Sequence, residues 1–177
     1  MLTELTRGGV AARTAARGGP ADGAGTFAAT FAALYAAHRV GDEWIQTHHQ
    51  ACTKGADGWA GRRACAGHVA SYTAAQAIAL AAVRWGTGAP ITSRRAAAAL
   101  TVSAVSHYVA DRREPLRRLA EAMQPRFGKG DYYHLGEPRP GLDDPPTLGT
   151  GAVALDQAWH VGWLLVAALT VSADLGS

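Results

Sequence analysis

The chain has 177 residues and a formal net charge of +3, enough length for one domain with a buried core and too little basic excess for a dedicated nucleic-acid binder. Alanine (39) and glycine (21) together make 60 residues, yet 48% of the chain is hydrophobic and no three-residue period occurs, which excludes collagen and a wholly disordered chain. The two cysteines, Cys52 and Cys65, form no zinc-ribbon or disulfide-framework pattern and favour a reducing cytoplasm.

The predicted elements are all helical. Residues 1–25 are rich in alanine, glycine and arginine and lack the apolar segment of a secretory signal, so we expect a flexible leader. Residues 26–177 are predicted to form a single domain whose first helix begins at Thr26 and runs to about His49. Two further long helices and a short basic one follow, at about 62–85, 93–113 and 114–123.

The segment 125–151 differs in composition from the rest of the domain. It contains five of the eight prolines, so we predict a long loop without regular structure. Loops of this length inside a compact domain are usually functional or disordered. A last helix from about 152 to 173 completes the predicted fold, an all-α bundle of four long helices plus one short helix.

Histidine and aspartate recur at a four-residue spacing. Three of the seven histidines have such a partner: His38 with Asp42, His107 with Asp111, and His160 with Asp156. This spacing puts both side chains on one helix face, as two ligands of one metal ion require. In each helix the pair interrupts the apolar stripe that should be buried, and His68 lies on a comparable stripe of the second long helix.

These polar side chains need a common partner, because burying a carboxylate or an imidazole alone costs several kcal/mol. A divalent metal is the simplest partner, and histidine with carboxylate ligands favours Zn, Mn or Fe(II). The predicted ligands are His38, Asp42, His68, His107, Asp111, Asp156 and His160. We assign catalytic roles to Asp111, Asp42, Gln46 and Gln157, as proton acceptor or as groups that orient ligands and water. The alternative is a His–Asp hydrogen-bond network that only orders the core.

Arginines gather at both ends of the third long helix and in the short helix after it. Such a run is either a solvated face or a phosphate-binding surface. On the second interpretation, the residues predicted to contact substrate are Arg112, Arg113, Tyr72 and His134.

The polar residues fall into four sequence motifs. They are H-x3-D-x3-Q (His38, Asp42, Gln46), a lone His68, H-x3-D (His107, Asp111) and D-Q-x2-H (Asp156, Gln157, His160). Over about residues 30 to 165 these motifs resemble an uncharacterised bacterial family, a domain of unknown function whose members carry them on successive hydrophobic helices, commonly in membrane proteins. The family resembles membrane-associated metal-dependent hydrolases, which implies a shared polar site. The arrangement is also similar in kind to the all-helical zinc phosphodiesterases, bacterial phospholipase C and the single-strand nucleases.

From these patterns we expect a metal-dependent hydrolase of a phosphate ester, such as a nucleotide, a nucleic acid or a lipid head group. One alternative is a small helical regulatory or nucleic-acid-binding protein with a structural His/Asp core, and another is a metal-storing or metal-sensing bundle. The mean hydropathy is that of a soluble protein, so we expect a cytoplasmic location, with association at a membrane surface as the minority interpretation. The oligomeric state is left open.

Overall fold

The structure is a computed structural model that describes residues 20–137 and 149–173. Within these residues the chain is all-α and contains no strand, so the predicted fold class is confirmed. The helices are α1 (Pro20–Val40), α2 (His48–Thr53), α3 (Gly58–Thr87), α4 (Ser93–Asp111), α5 (Glu114–Ala122), α6 (Gln124–Phe127), α7 (Lys129–Tyr133) and α8 (Gly151–Ser172), with a π-helical turn at Gly41–Ile45 after α1. The first part of the predicted leader, residues 1–19, lies outside the described residues.

Several helix ends are explained by capping residues. The side chains of Thr92 and Thr150 each accept a hydrogen bond from the backbone amide three residues later, which begins α4 and α8. Thr47 and Gln50 form a reciprocal capping box at the start of α2. Helix α3 ends at Gly88, whose φ of 69° is a left-handed conformation that glycine adopts without strain.

Helix α1 differs from its prediction at both ends. It begins at Pro20 instead of residue 26. Its α-helical part ends at Val40, where the chain widens into the π-helical turn, and at Gln46 an extended backbone with ψ of 127° ends the helix. Gly41 lies against the ring of Tyr72, and a Cβ there would come within 3.0 Å of the ring carbon Cδ2. The close approach of α1 to α3 therefore depends on glycine at this position.

The predicted loop over 125–151 contains two short helices, α6 and α7. Pro125 lies in the first turn of α6, where its missing amide hydrogen costs no helical bond, and Gly128, with φ of 61°, separates the two helices. The prediction of no regular structure is therefore wrong for the first part of this segment. Residues 138–148 lie outside the described residues.

The four long helices form one bundle, in which α8 packs on α4 and α1, and α3 packs on the same two helices. The apolar core occupies one end of this bundle. It is formed by Leu34, Leu80, Ile91, Ala99, Leu164, Ala167, Ala168 and Val171. At the other end each of the four helices presents a buried histidine to the interior.

Among the described residues, α8 is the one helix long and apolar enough to cross a membrane by length and composition. Its outward face carries the exposed side chains of Leu165 and Leu169, whereas Leu164 and His160 are buried in the bundle. Core helices of soluble proteins meet the same length and composition criteria. The composition of α8 therefore fits both kinds of helix.

Candidate metal centre

Four histidines converge at the polar end of the bundle, one from each long helix. His38, His68 and His107 are fully buried, and His160 is 2% exposed. The ring centroids of His107 and His160 are 4.2 Å apart, and those of His68 and His107 are 5.0 Å apart. The structure thus brings together residues that are separated by up to 122 positions in the sequence.

Two of these histidines and two aspartates form a compact group that we call the tetrad: His68, His107, Asp42 and Asp111. The two Nε2 atoms are 3.0 Å apart. Asp42 Oδ1 lies 3.3 and 3.4 Å from Nε2 of His68 and His107, and Asp111 Oδ2 lies 3.4 and 3.2 Å from the same two atoms. A tetrahedral ion with bonds of 2.0–2.1 Å needs ligand atoms about 3.3–3.4 Å apart. The tetrad therefore fits a four-coordinate divalent ion.

The carboxylate oxygens of the tetrad have no hydrogen-bond partner. Asp42 Oδ1 and Asp111 Oδ2 are buried, and their contacts with the imidazole nitrogens do not meet hydrogen-bond geometry within the described residues. A buried acceptor without a partner costs about 1–3 kcal/mol. A cation at the centre of the tetrad would remove this cost.

Three further residues form what we call the second cluster: His38, His160 and Asp156. His160 Nε2 lies 3.4 Å from Asp156 Oδ1, and His38 Nδ1 lies 3.4 Å from Asp42 Oδ2. In the part of the chain that the structure describes, both ring nitrogens of His38 and Nε2 of His160 are buried without a hydrogen-bond partner. All seven ligands predicted from the sequence thus lie in two adjoining groups.

The protonation states suit metal binding. Burial lowers the pKa of His38 to about 4 against the opposing charge of Asp42, and burial also lowers the pKa of His107. Both imidazoles are therefore neutral at pH 7, the form that binds a metal ion. Burial alone would raise the pKa of Asp111, but contact with His107 and the charge of Lys54 hold it well below its usual range. Asp111 is therefore a carboxylate at neutral pH.

Tyr72, which the sequence analysis assigned to substrate contact, lies behind the tetrad and is 1% exposed. Its ring centroid is 3.9 Å from that of His107. Its hydroxyl lies 2.9 Å from Ser103 Oγ and accepts a hydrogen bond from Gln76 Nε2 at 2.7 Å. This position makes Tyr72 a support for the His107 ring on the side of the apolar core.

A cavity of about 430 Å³ opens beside the site and is lined in part by Asp111 and Asp156. Lys54 also lines it, and its Nζ lies 2.7 Å from Asp111 Oδ1. Arg113 and Tyr133 form another part of the wall. Sequence reasoning missed Lys54 because it lies in a connector whose residues follow no helical or strand period.

The connector that contains Lys54 is fixed by Arg112. The Arg112 guanidinium donates hydrogen bonds to the carbonyls of Lys54 and Ala56 at 2.6 and 2.7 Å. A Cβ at Gly61 would overlap the Ala56 carbonyl, so this close approach requires glycine. Arg113, the next predicted substrate contact, has φ of 59° and ψ of −50°, which costs a non-glycine residue about 1–3 kcal/mol. A strained arginine thus forms part of the cavity wall.

The other predicted residues lie outside the tetrad. Gln157 donates to Asp156 Oδ2 at 3.3 Å and so orients this carboxylate. Gln46 follows the π-helical turn, and its Nε2 is buried without a hydrogen-bond partner among the described residues. His134 is 48% exposed at its side chain, and its Nδ1 lies 2.9 Å from Glu137 Oε2.

No family model, curated protein or solved structure matches this chain. The family resemblance of the four sequence motifs therefore stays a prediction. Function has to be inferred from the tetrad, the second cluster and the cavity.

Proposed function

We propose that the protein is a metal-dependent hydrolase that cleaves a phosphate ester. The observation that carries the proposal is the position of the tetrad beside a cavity with cationic side chains in its wall. Two imidazole nitrogens and two carboxylate oxygens form a ligand set typical of Zn, Mn or Fe(II). The proposed cofactor is therefore one of these divalent ions.

A divalent ion in the tetrad supplies a Lewis acid, which lowers the pKa of a bound water and polarises a phosphoryl oxygen. The chain supplies the groups that bind the substrate. Lys54 and Arg113 line the cavity and are placed to bind the non-bridging oxygens of a phosphate. Asp111 connects the two parts of the site, because Oδ2 belongs to the tetrad and Oδ1 contacts Lys54.

The unpaired polar atoms favour this proposal over a His–Asp network with a purely structural role. Within the described residues, ten buried side-chain nitrogen and oxygen atoms have no hydrogen-bond partner, and seven of them belong to His38, Asp42, His68, His107, Asp111 and His160. A network that only orders a core satisfies its own polar atoms, because each orphaned atom costs free energy. Ligands of an ion have no such requirement.

The nucleic-acid-binding alternative is weakened by pairing within the arginine-rich segment. Arg117 forms ion pairs with Glu114 and Glu121, and Arg118 Nε lies 2.7 Å from Glu114 Oε1. Arginines that are already paired contribute less to counterion release from a nucleic acid. Arg113, in the wall of the cavity, is better placed to bind a single phosphate group.

We also propose a cytoplasmic location, with association at a membrane surface as the alternative. Both cysteines are free, with Cys65 buried and Cys52 exposed, as in proteins of reducing compartments. The apolar outward face of α8 is the feature that favours the membrane alternative.

Hydrolysis assays test the proposed activity. Metal-free protein is supplied in turn with Zn, Mn and Fe(II) and assayed with bis(p-nitrophenyl) phosphate, a diester, and p-nitrophenyl phosphate, a monoester. We expect turnover of at least one ester with at least one ion. Asp111→Asn should reduce turnover by about a hundredfold or more, and Lys54→Gln should raise KM.

The matched control is Arg118→Gln, which removes a charge outside the cavity of Asp111 and should leave turnover unchanged. Circular dichroism of each variant verifies that the helices are intact. Metal-loaded wild type that hydrolyses neither ester, nor a lipid or oligonucleotide phosphate, would overturn the hydrolase proposal.

A further inference from the structure

We propose that the centre is dinuclear: the second cluster binds a second divalent ion, and Asp42 bridges this ion and the one in the tetrad. This inference rests on the metal site of the proposed function and does not depend on the hydrolytic reaction.

The two oxygens of Asp42 face different groups of ligands. Oδ1 lies 3.3 Å from Nε2 of His68 and 3.4 Å from Nε2 of His107, both in the tetrad. Oδ2 lies 3.4 Å from Nδ1 of His38, in the second cluster. A carboxylate that directs one oxygen to each of two ligand groups has the arrangement of a bridging ligand.

The second cluster has a ligand set of the same composition as the tetrad. With Asp42 Oδ2 it offers two imidazoles, from His38 and His160, and two carboxylates, the second from Asp156. His38 is fully buried, yet neither of its ring nitrogens has a hydrogen-bond partner among the described residues. One ion in the tetrad would leave these nitrogens unsatisfied, at a cost of about 1–3 kcal/mol for each group.

The two groups are close enough for a shared site. One ligand nitrogen from each of His38, His107 and His160 lies within 4.8 Å of the others, and so does one ligand atom from each of Asp111, Asp156 and His160. Ions in two-metal hydrolytic sites are about 3.5–4 Å apart. Asp111 and Asp156, which belong to different groups, both line the cavity. A substrate in this cavity would therefore reach both ions.

Charge balance also favours two ions. Three carboxylates, Asp42, Asp111 and Asp156, face one ammonium group, that of Lys54. One divalent ion would bring this set to neutrality, whereas two would leave it with a positive charge. A positive site is complementary to a phosphate group, so the second ion gives the cavity its selectivity for anionic esters.

The test is a Mn(II) titration of metal-free protein, followed by equilibrium dialysis with elemental analysis and by electron paramagnetic resonance. We expect two equivalents per chain in the wild type. At two equivalents the spectrum should show the multiline signal of two exchange-coupled Mn(II) ions. His38→Ala should bind one equivalent and give only the uncoupled six-line spectrum.

A second variant, His160→Gln, should behave like His38→Ala and serves in its place if that variant does not fold. The matched control is His134→Ala, which removes an exposed histidine outside both groups and should keep two coupled ions. One equivalent in the wild type overturns the dinuclear proposal and leaves the tetrad intact. Two equivalents that persist in His38→Ala and His160→Gln also overturn it, and no binding at all overturns the tetrad as well.

Discussion

The apolar end and the polar end of the bundle are formed by the same four helices, yet they meet different requirements. In α1, Leu34 belongs to the apolar core and His38, one turn later, belongs to the second cluster. In α8 the same change occurs between Leu164 and His160. The apolar end is satisfied by packing alone, whereas the polar end contains buried atoms without partners. The comparison teaches that the fold is stabilised at one end and prepared for a ligand at the other.

A layer of hydrogen-bonded side chains separates the two ends. Tyr72, Ser103 and Gln76 are buried and bond to one another through the Tyr72 hydroxyl. Because this layer is nearly satisfied, a change at one end should have little effect on the other. The predictions below depend on that separation.

The largest effect is expected from Asp42→Asn, since Asp42 contacts both ligand groups. An amide is a much weaker ligand than a carboxylate, so metal content should fall from two equivalents to less than one and turnover should fall by about a hundredfold or more. Elemental analysis and the ester assay measure these changes. Glu43→Gln, at the exposed neighbouring acid, is the control and should keep both ions. Full metal content in Asp42→Asn would contradict the bridging role.

The next largest effect is expected from Leu164→Ala at the apolar end. Leu164 is 1% exposed, and removing a buried leucine side chain costs about 2–5 kcal/mol in the free energy of unfolding. Urea denaturation of the metal-free protein measures this loss, while the metal stoichiometry should remain that of the wild type. If the variant also lost its ions, the two ends of the bundle would not be independent.

Removal of the metal should destabilise the wild type by a similar amount. An ion that binds only the folded state at about a thousandfold excess over its Kd stabilises that state by about 4 kcal/mol. The thermal midpoint should therefore fall on treatment with a chelator, both in the wild type and in Leu164→Ala. His107→Ala lacks a tetrad ligand and should show little change with the chelator. An equal fall in His107→Ala would mean that the stabilising ion lies elsewhere.

The smallest effect is expected from Tyr72→Phe in the separating layer. The variant keeps the ring against His107 but removes the hydroxyl that bonds to Ser103 and Gln76. The expected loss is about 1–2 kcal/mol in the free energy of unfolding, with both ions retained. Calorimetry with elemental analysis tests both statements. A loss of metal would place Tyr72 among the residues that position the ligands.

Much of the site could be predicted from the helical period. The spacing of His38 and Asp42, and of His107 and Asp111, placed these pairs on faces that should be buried, and all four side chains do face the bundle interior. Thr92 could be predicted as a helix cap for the same reason, because local geometry determines it. These features depend on contacts within a turn or two of one helix.

The rest depends on contacts between distant segments. Lys54 reaches Asp111 because Arg112, 58 positions later, bonds to the Lys54 carbonyl. The division of the Asp42 oxygens between two groups follows a π-helical turn over Gly41–Ile45, a local change of helical register that no apolar pattern marks. Tyr72 was assigned to substrate contact because its residue type suits either role, and only the packing of α3 on α4 directs it to Ser103.

Elemental analysis of the protein, purified without added metal or affinity tag, tests most directly the claim that the polar end is a metal centre. The wild type is compared with His107→Ala and Asp111→Ala, which each lack one tetrad ligand. We predict Zn, Mn or Fe in the wild type at close to two equivalents per chain, and a marked loss of metal in both variants. A folded wild type that contains no metal and takes up none of the three ions when they are added would contradict the claim.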